Sequence, residues 1–131
     1  MIQEQHTDNP KGVLMIPDIS GFTDFVVKSN MFVGKYITEN LLKVIMDSNI
    51  LCFEISEIEG DAILFYKYQN LPTFEESLMQ IELIYGNFQK ELQRLSQQLA
   101  IEIPLSLKTI VHYGEFTQYK IGKFEKLYGA P

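Results

Sequence analysis

Val13-Leu14-Met15-Ile16-Pro17-Asp18-Ile19-Ser20-Gly21-Phe22-Thr23 is an apolar run that ends on an aspartate and breaks at a glycine before an amphipathic segment begins. The four consecutive apolar residues Val13 to Ile16 predict a strand covered on both faces. Pro17 cannot donate to a ladder, so it marks that strand's end or an irregular edge position. A second run, Glu57-Ile58-Glu59-Gly60-Asp61-Ala62, lies between Leu51-Cys52-Phe53-Glu54-Ile55 and Ile63-Leu64-Phe65-Tyr66. It also sets an aspartate where an apolar strand meets a tight turn. If the two strands are neighbours, Asp18 and Asp61 meet at one edge as a paired-carboxylate metal site.

Outward from these runs the chain reads as alternating elements. After Gly21, the spacing of Phe22, Phe25 and Val26 predicts a helix, with a break near Ser29-Asn30. Ile37, Leu41 and Ile45 then continue it at four-residue steps. Ile50 to Ile58 alternates as a strand, with Leu51, Phe53 and Ile55 on one side, and Ala62 to Tyr66 returns as its hairpin partner around Gly60-Asp61. Gln69 to Pro72 is a loop, and Thr73-Phe74-Glu75-Glu76 fits a capping box. Leu78, Ile81, Tyr85, Phe88, Leu92, Leu95 and Leu99 follow at helical spacing, a stripe expected to pack on a sheet rather than on a coiled-coil partner. Leu105, Leu107, Thr109, Val111 and Tyr113 alternate with Ser106, Lys108, Ile110 and His112 as a half-buried strand, and Gly114-Glu115 is expected to turn it into a further strand, Phe116–Ile121. The expected fold class is α+β: a ferredoxin-like β-α-β-β-α-β antiparallel sheet with both helices on one face.

The 131 residues are the length of one domain, and 46% hydrophobic residues supply a core. The expected division is a flexible leader over residues 1–12 and one domain over 13–131. A net charge of −6 excludes a general nucleic-acid binder or a binder of anionic membranes. No run approaches the roughly twenty apolar residues of a spanning helix, and the polar start is no secretory signal, so the expected compartment is the cytoplasm. The single cysteine, Cys52, allows no internal disulfide and reads as a small buried side chain in a strand. His112, with only His6 elsewhere, has no zinc spacing and reads as structural. There is no phosphate-binding glycine loop of the Walker or dinucleotide type, and no serine or cysteine nucleophile with a placed base.

Four runs in order, Asp18-Ile19-Ser20-Gly21-Phe22-Thr23, Glu57-Ile58-Glu59-Gly60-Asp61-Ala62, Val111-His112-Tyr113-Gly114 and Lys126-Leu127-Tyr128-Gly129, resemble the catalytic domains of class III adenylyl and guanylyl cyclases. The likeness covers nearly the whole chain from Val13 and looks closest to a bacterial cyclase-like family of unknown function (DUF2652-like). Polymerase-palm proteins share such a sheet and metal pair, but the Ser20–Thr23 and Lys126–Gly129 runs favour the cyclase side. The resemblance implies that Asp18, Asp61 and the Ile19 carbonyl hold two Mg2+ or Mn2+ ions. It implies that Gly21, Phe22 and Thr23 form the phosphate-holding turn of a nucleoside triphosphate site. Glu57 and Lys126 take the base-contacting positions. A carboxylate there accepts from guanine N1 and N2 and an ammonium donates to O6, a pair better matched to GTP than to ATP.

The resemblance also implies a homodimer whose active site lies between subunits. The family carries an Asn, an Arg and a Lys beyond the position of Gly129, and the 131 residues hold none of the three. The domain is therefore expected to be incomplete at its C-terminal end, with no catalytic residue beyond the metal aspartates and weak or no activity as this chain. Two functions follow as expectations: a metal-dependent purine nucleotide cyclase, releasing cyclic nucleotide and pyrophosphate, or a non-catalytic nucleotide-binding or dimerising regulatory module on the same fold.

Overall fold

A computed structural model describes residues 11–28, 30–121 and 124–129, with side chains described over 11–25 and 30–114. In chain order the elements are β1 (Lys11–Ser20), α1 (Phe22–Lys28), α2 (Met31–Asp47), β2 (Glu54–Glu59), β3 (Ala62–Lys67), α3 (Phe74–Leu99), β4 (Ser106–Ile121) and β5 (Phe124–Gly129). The strands form an antiparallel sheet in the order β2-β3-β1-β4-β5. Its first four strands have the ferredoxin-like arrangement expected from the sequence; β4 runs straight through Gly114-Glu115, where a turn was expected, and the strand that follows is β5, which extends the sheet beyond β4.

β1 begins at Lys11 and runs to Ser20, past the proline expected to end or distort it. Its pairing with β4 is unbroken, whereas its pairing with β3 lapses between Met15 and Asp18. Pro17 lies in that gap, where its missing N–H leaves one rung out without ending the strand. Val13, Met15 and Ile19 are buried on the helix side, in one core with Ile37, Leu41 and Ile45 of α2, Ile63 and Phe65 of β3, and Ile84, Phe88 and Leu95 of α3. The expected α2 stripe is thus the buried one. Asn30 caps α2 through its side chain, accepting from the Phe32 and Val33 amides, and this accounts for the break from α1.

Thr73 opens α3 with both halves of the capping box: its amide donates to Glu76 Oε1 at 2.9 Å, and the Glu76 amide donates to Thr73 Oγ1 at 3.0 Å. Most of the expected α3 stripe lies in the core, with Phe88 and Leu95 buried and Ile81, Leu92 and Leu99 packed against it; the departure is at two positions in the first half of the helix. Gln80 and Ile84 are fully buried, while Leu78 and Tyr85 are about half exposed at 45% and 51%. Gln80 sits in the core as a polar anchor. Gln80 Nε2 donates to the Ser48 carbonyl at 2.6 Å, its Oε1 accepts from the Leu51 amide at 3.0 Å, and Asn87 donates to Ser48 Oγ.

The same anchor corrects the expected second strand. Residues 48–53 form a loop, its backbone satisfied by Gln80 and by Asn49, which bonds both backbone groups of Phe53. β2 therefore starts at Glu54. Cys52 is exposed at φ +59 in that loop, not buried in a strand as its apolar neighbours implied. No helix among the described residues is long and apolar enough to cross a membrane.

Candidate functional site

Alternation along β1 sends Val13, Met15 and Ile19 to the core and leaves Asp18 on the opposite face, partly exposed. Asp18 lies directly across from Ala62 on β3 and from Lys108 on β4. Asp61 immediately precedes Ala62, and its carbonyl accepts the Ile19 amide at 2.8 Å. One inter-strand hydrogen bond therefore joins the residue after the first aspartate to the second aspartate, and both stand at the same end of the sheet. Neither carboxylate is engaged by a hydrogen bond or ion pair among the described residues.

Local chain chemistry sets this end of the sheet. Gly60 is the first residue of the two-residue β2–β3 loop, at φ +58, a position that hairpin loops of this length fill with glycine. Gly21 turns the chain out of β1 at φ +86, and its carbonyl accepts the first α1 bond, from Phe25 at 3.0 Å. A β-carbon on Gly21 would lie 2.9 Å from the Pro104 carbonyl oxygen, so the turn requires glycine for space as well as for torsion. Phe22 and Thr23 follow as the first residues of α1, Phe22 partly buried against the core and Thr23 exposed.

The donor set fits a hard cation. Two carboxylates with a backbone carbonyl between them in sequence offer only oxygen, and magnesium-type ions are commonly held by one or two carboxylates, with water and substrate phosphate completing the shell. Among the described residues no group of three or more His, Cys, Asp or Glu side chains gathers into a denser cage. Lys108 is the residue that sequence reading passed over. It is exposed, and as the cross-strand neighbour of Asp18 it places a cation on the face that carries that carboxylate. Finding it required the β1–β4 register, which alternation within one strand does not give.

Glu57 stands on β2 opposite Leu64, two rungs along from the Glu59–Ala62 pair that closes the hairpin. Glu57 also makes an interaction within the molecule. Lys126 lies on β5 opposite Tyr119, and its side chain is outside the described residues. β5 also comes back against β2, bringing the strands that carry Glu57 and Lys126 together. His112 lies on β4 opposite Leu14, with its Nε2 buried and without a hydrogen-bond partner.

This architecture matches solved cyclase domains. The guanylyl cyclase Cya2 superposes with a TM-score of 0.76 at 18% identity, covering 94% of this chain and 66% of that one. The adenylyl cyclase CyaB from P. aeruginosa gives 0.71 at 15% identity, covering 93% and 67%. The guanylate cyclase domain of RhGC from Catenaria anguillulae, solved in complex with GTP, gives 0.57 at 11%, covering 92% and 67%. The chain thus spans about two thirds of the length of these domains, and at such identities the likeness establishes a shared fold. No curated protein sequence matches the chain. The sequence itself matches one family model over residues 38–131, a stretch that runs from α2 through the Gly60-Asp61 hairpin to the end of β5, and the chain accordingly belongs to that family, described as a protein of unknown function (DUF2652).

Proposed function

We propose that this chain forms the metal-binding part of a purine nucleotide cyclase, acting on a nucleoside triphosphate to give cyclic nucleotide and pyrophosphate. The observation that carries the reading is the Ile19–Asp61 backbone bond, which brings the chain at Asp18 and at Asp61 to the same end of a cyclase-type sheet. Two divalent ions, Mg2+ or Mn2+, would there acidify the ribose 3′ hydroxyl and neutralise the triphosphate charge. Asp18, Asp61 and the Ile19 carbonyl hold them in this reading. The Gly21–Thr23 turn presents amides to phosphate oxygens, and Lys108 adds a cation on the face that carries Asp18. Glu57 and Lys126 supply an acceptor and a donor suited to guanine.

The open face of the sheet supports homodimerisation as the partner state. Ile110 is 50% exposed on it, with Ile16 and Leu64 partly exposed on the neighbouring strands.

One observation favours the second reading, a non-catalytic nucleotide-binding or dimerising regulatory module. The only arginine in the 131 residues is Arg94, which lies on α3 and is held by Glu91.

The two readings part in a manganese-supported assay with GTP and ATP in parallel, using Asp18→Ala and Asp61→Ala as controls and circular dichroism to verify their folding. The cyclase reading expects cyclic product, more from GTP, falling at least a hundredfold in either variant. Wild-type turnover in either variant would sink the metal mechanism. Manganese-dependent GTP binding without product would establish the module instead. An unchanged GTP-to-ATP ratio in Glu57→Lys would remove Glu57 from base recognition.

A further inference from the structure

The connector from α3 to β4 lies against the turn that follows Asp18. The Leu105 amide donates to the Ile103 carbonyl at 2.8 Å, a three-residue turn centred on Pro104. Proline's fixed φ suits the centre of such an inverse γ-turn, in which the carbonyl of the central residue points outward. That carbonyl is the atom that approaches Gly21, and Leu105 Cδ2 is the next nearest, at 3.7 Å from a β-carbon built there. Ile103 and Leu105 are buried on either side and anchor the turn in the core. Pro104 itself is exposed, so core packing does not account for it. Beyond it, Ser20 pairs with Ser106, which fixes the end of β1 to the start of β4.

We infer that Pro104 is a positioning residue: its γ-turn presses a rigid carbonyl against Gly21 and so sets the path of the chain from Asp18 into α1. The functional meaning rests on the reading above, in which Gly21–Thr23 receives phosphate, but the mechanical claim does not. The connector is then the element through which displacement of the α3 C-terminus reaches the metal end of the sheet.

Residue-resolved hydrogen exchange on the ligand-free chain tests it. In Pro104→Gly, the Phe25 amide, bonded to the Gly21 carbonyl, should exchange at least tenfold faster. The Gly34 amide, which makes the corresponding first-turn bond of α2 to Asn30, should be unchanged. Glu102→Gly loosens the same connector at an exposed residue away from Gly21 and should leave Phe25 unaffected; Pro104→Ala should show a smaller rise and serves if the glycine variant folds poorly. Unchanged Phe25 exchange, or an equal rise at Gly34, overturns the proposal. Manganese–GTP affinity, measured alongside, should fall at least fivefold in Pro104→Gly and not in Glu102→Gly. A wild-type chain that binds no nucleotide would defeat the cyclase reading alone, and the exchange data would still decide the role of Pro104.

Discussion

Two glycine turns flank the aspartate pair, and they differ in what surrounds them. Gly60 stands at φ +58 with nothing within 4 Å of where a β-carbon would sit, whereas Gly21 stands at φ +86 with the Pro104 carbonyl 2.9 Å away. The hairpin tip needs glycine for torsion alone; the β1–α1 turn needs it for torsion and for space. Equal-looking Gly-containing turns can therefore carry unequal constraints, and the difference is set by the α3–β4 connector, far away in sequence.

The largest expected effect is that of Gly21→Ala. A left-handed alanine costs about 1–2 kcal/mol, and displacing a backbone carbonyl held by buried neighbours adds about 1–3 kcal/mol. Urea unfolding should show a loss of roughly 3 kcal/mol at unchanged m-value. Gly60→Ala should lose only the torsional part, about 1–2 kcal/mol, and Gly60→Asn less again, because asparagine tolerates the left-handed region. Equal losses at positions 21 and 60 would break the comparison. The smallest effect has the opposite sign. Ala100 closes α3 at φ 55 and ψ 43, a left-handed cap occupied by a residue that resists it. Ala100→Gly should raise stability by about 0.5–1 kcal/mol, read as a higher urea midpoint.

Legibility in the sequence followed how local each determinant was. The Thr73–Glu76 capping box and the Ile37, Leu41, Ile45 stripe are short-range patterns, and both stand in the structure as read. The sheet order followed from the sequence of elements. The stretch at Ile50–Phe53 misled because its apolar alternation is real, yet Gln80, about thirty positions on, satisfies its backbone and holds it as a loop. That same glutamine is a polar residue on the buried face of α3, where Phe88, Leu92 and Leu95 lie in the core as read but Leu78 and Tyr85 are about half exposed. The proximity of Asp18 and Asp61 was legible from two strand-to-turn junctions. Lys108 and Pro104 were not, since each acts through a neighbour on another element that only the register reveals.

The central place of β1 in the sheet has a consequence for how the protein is made. Met15 pairs with Phe65 on one side and with Val111 on the other, so β1 is made before both of its sheet partners. The β2–β3 hairpin can close within its own two-residue loop. At a synthesis rate of about 5–20 residues per second, β4 emerges roughly 5–20 s after β1. During that interval an apolar strand has at least one edge without its final partner, open to pairing with other chains. Closing β4 on β1 is a long-range step, so the domain is expected to fold more slowly than a helical bundle, whose contacts are local.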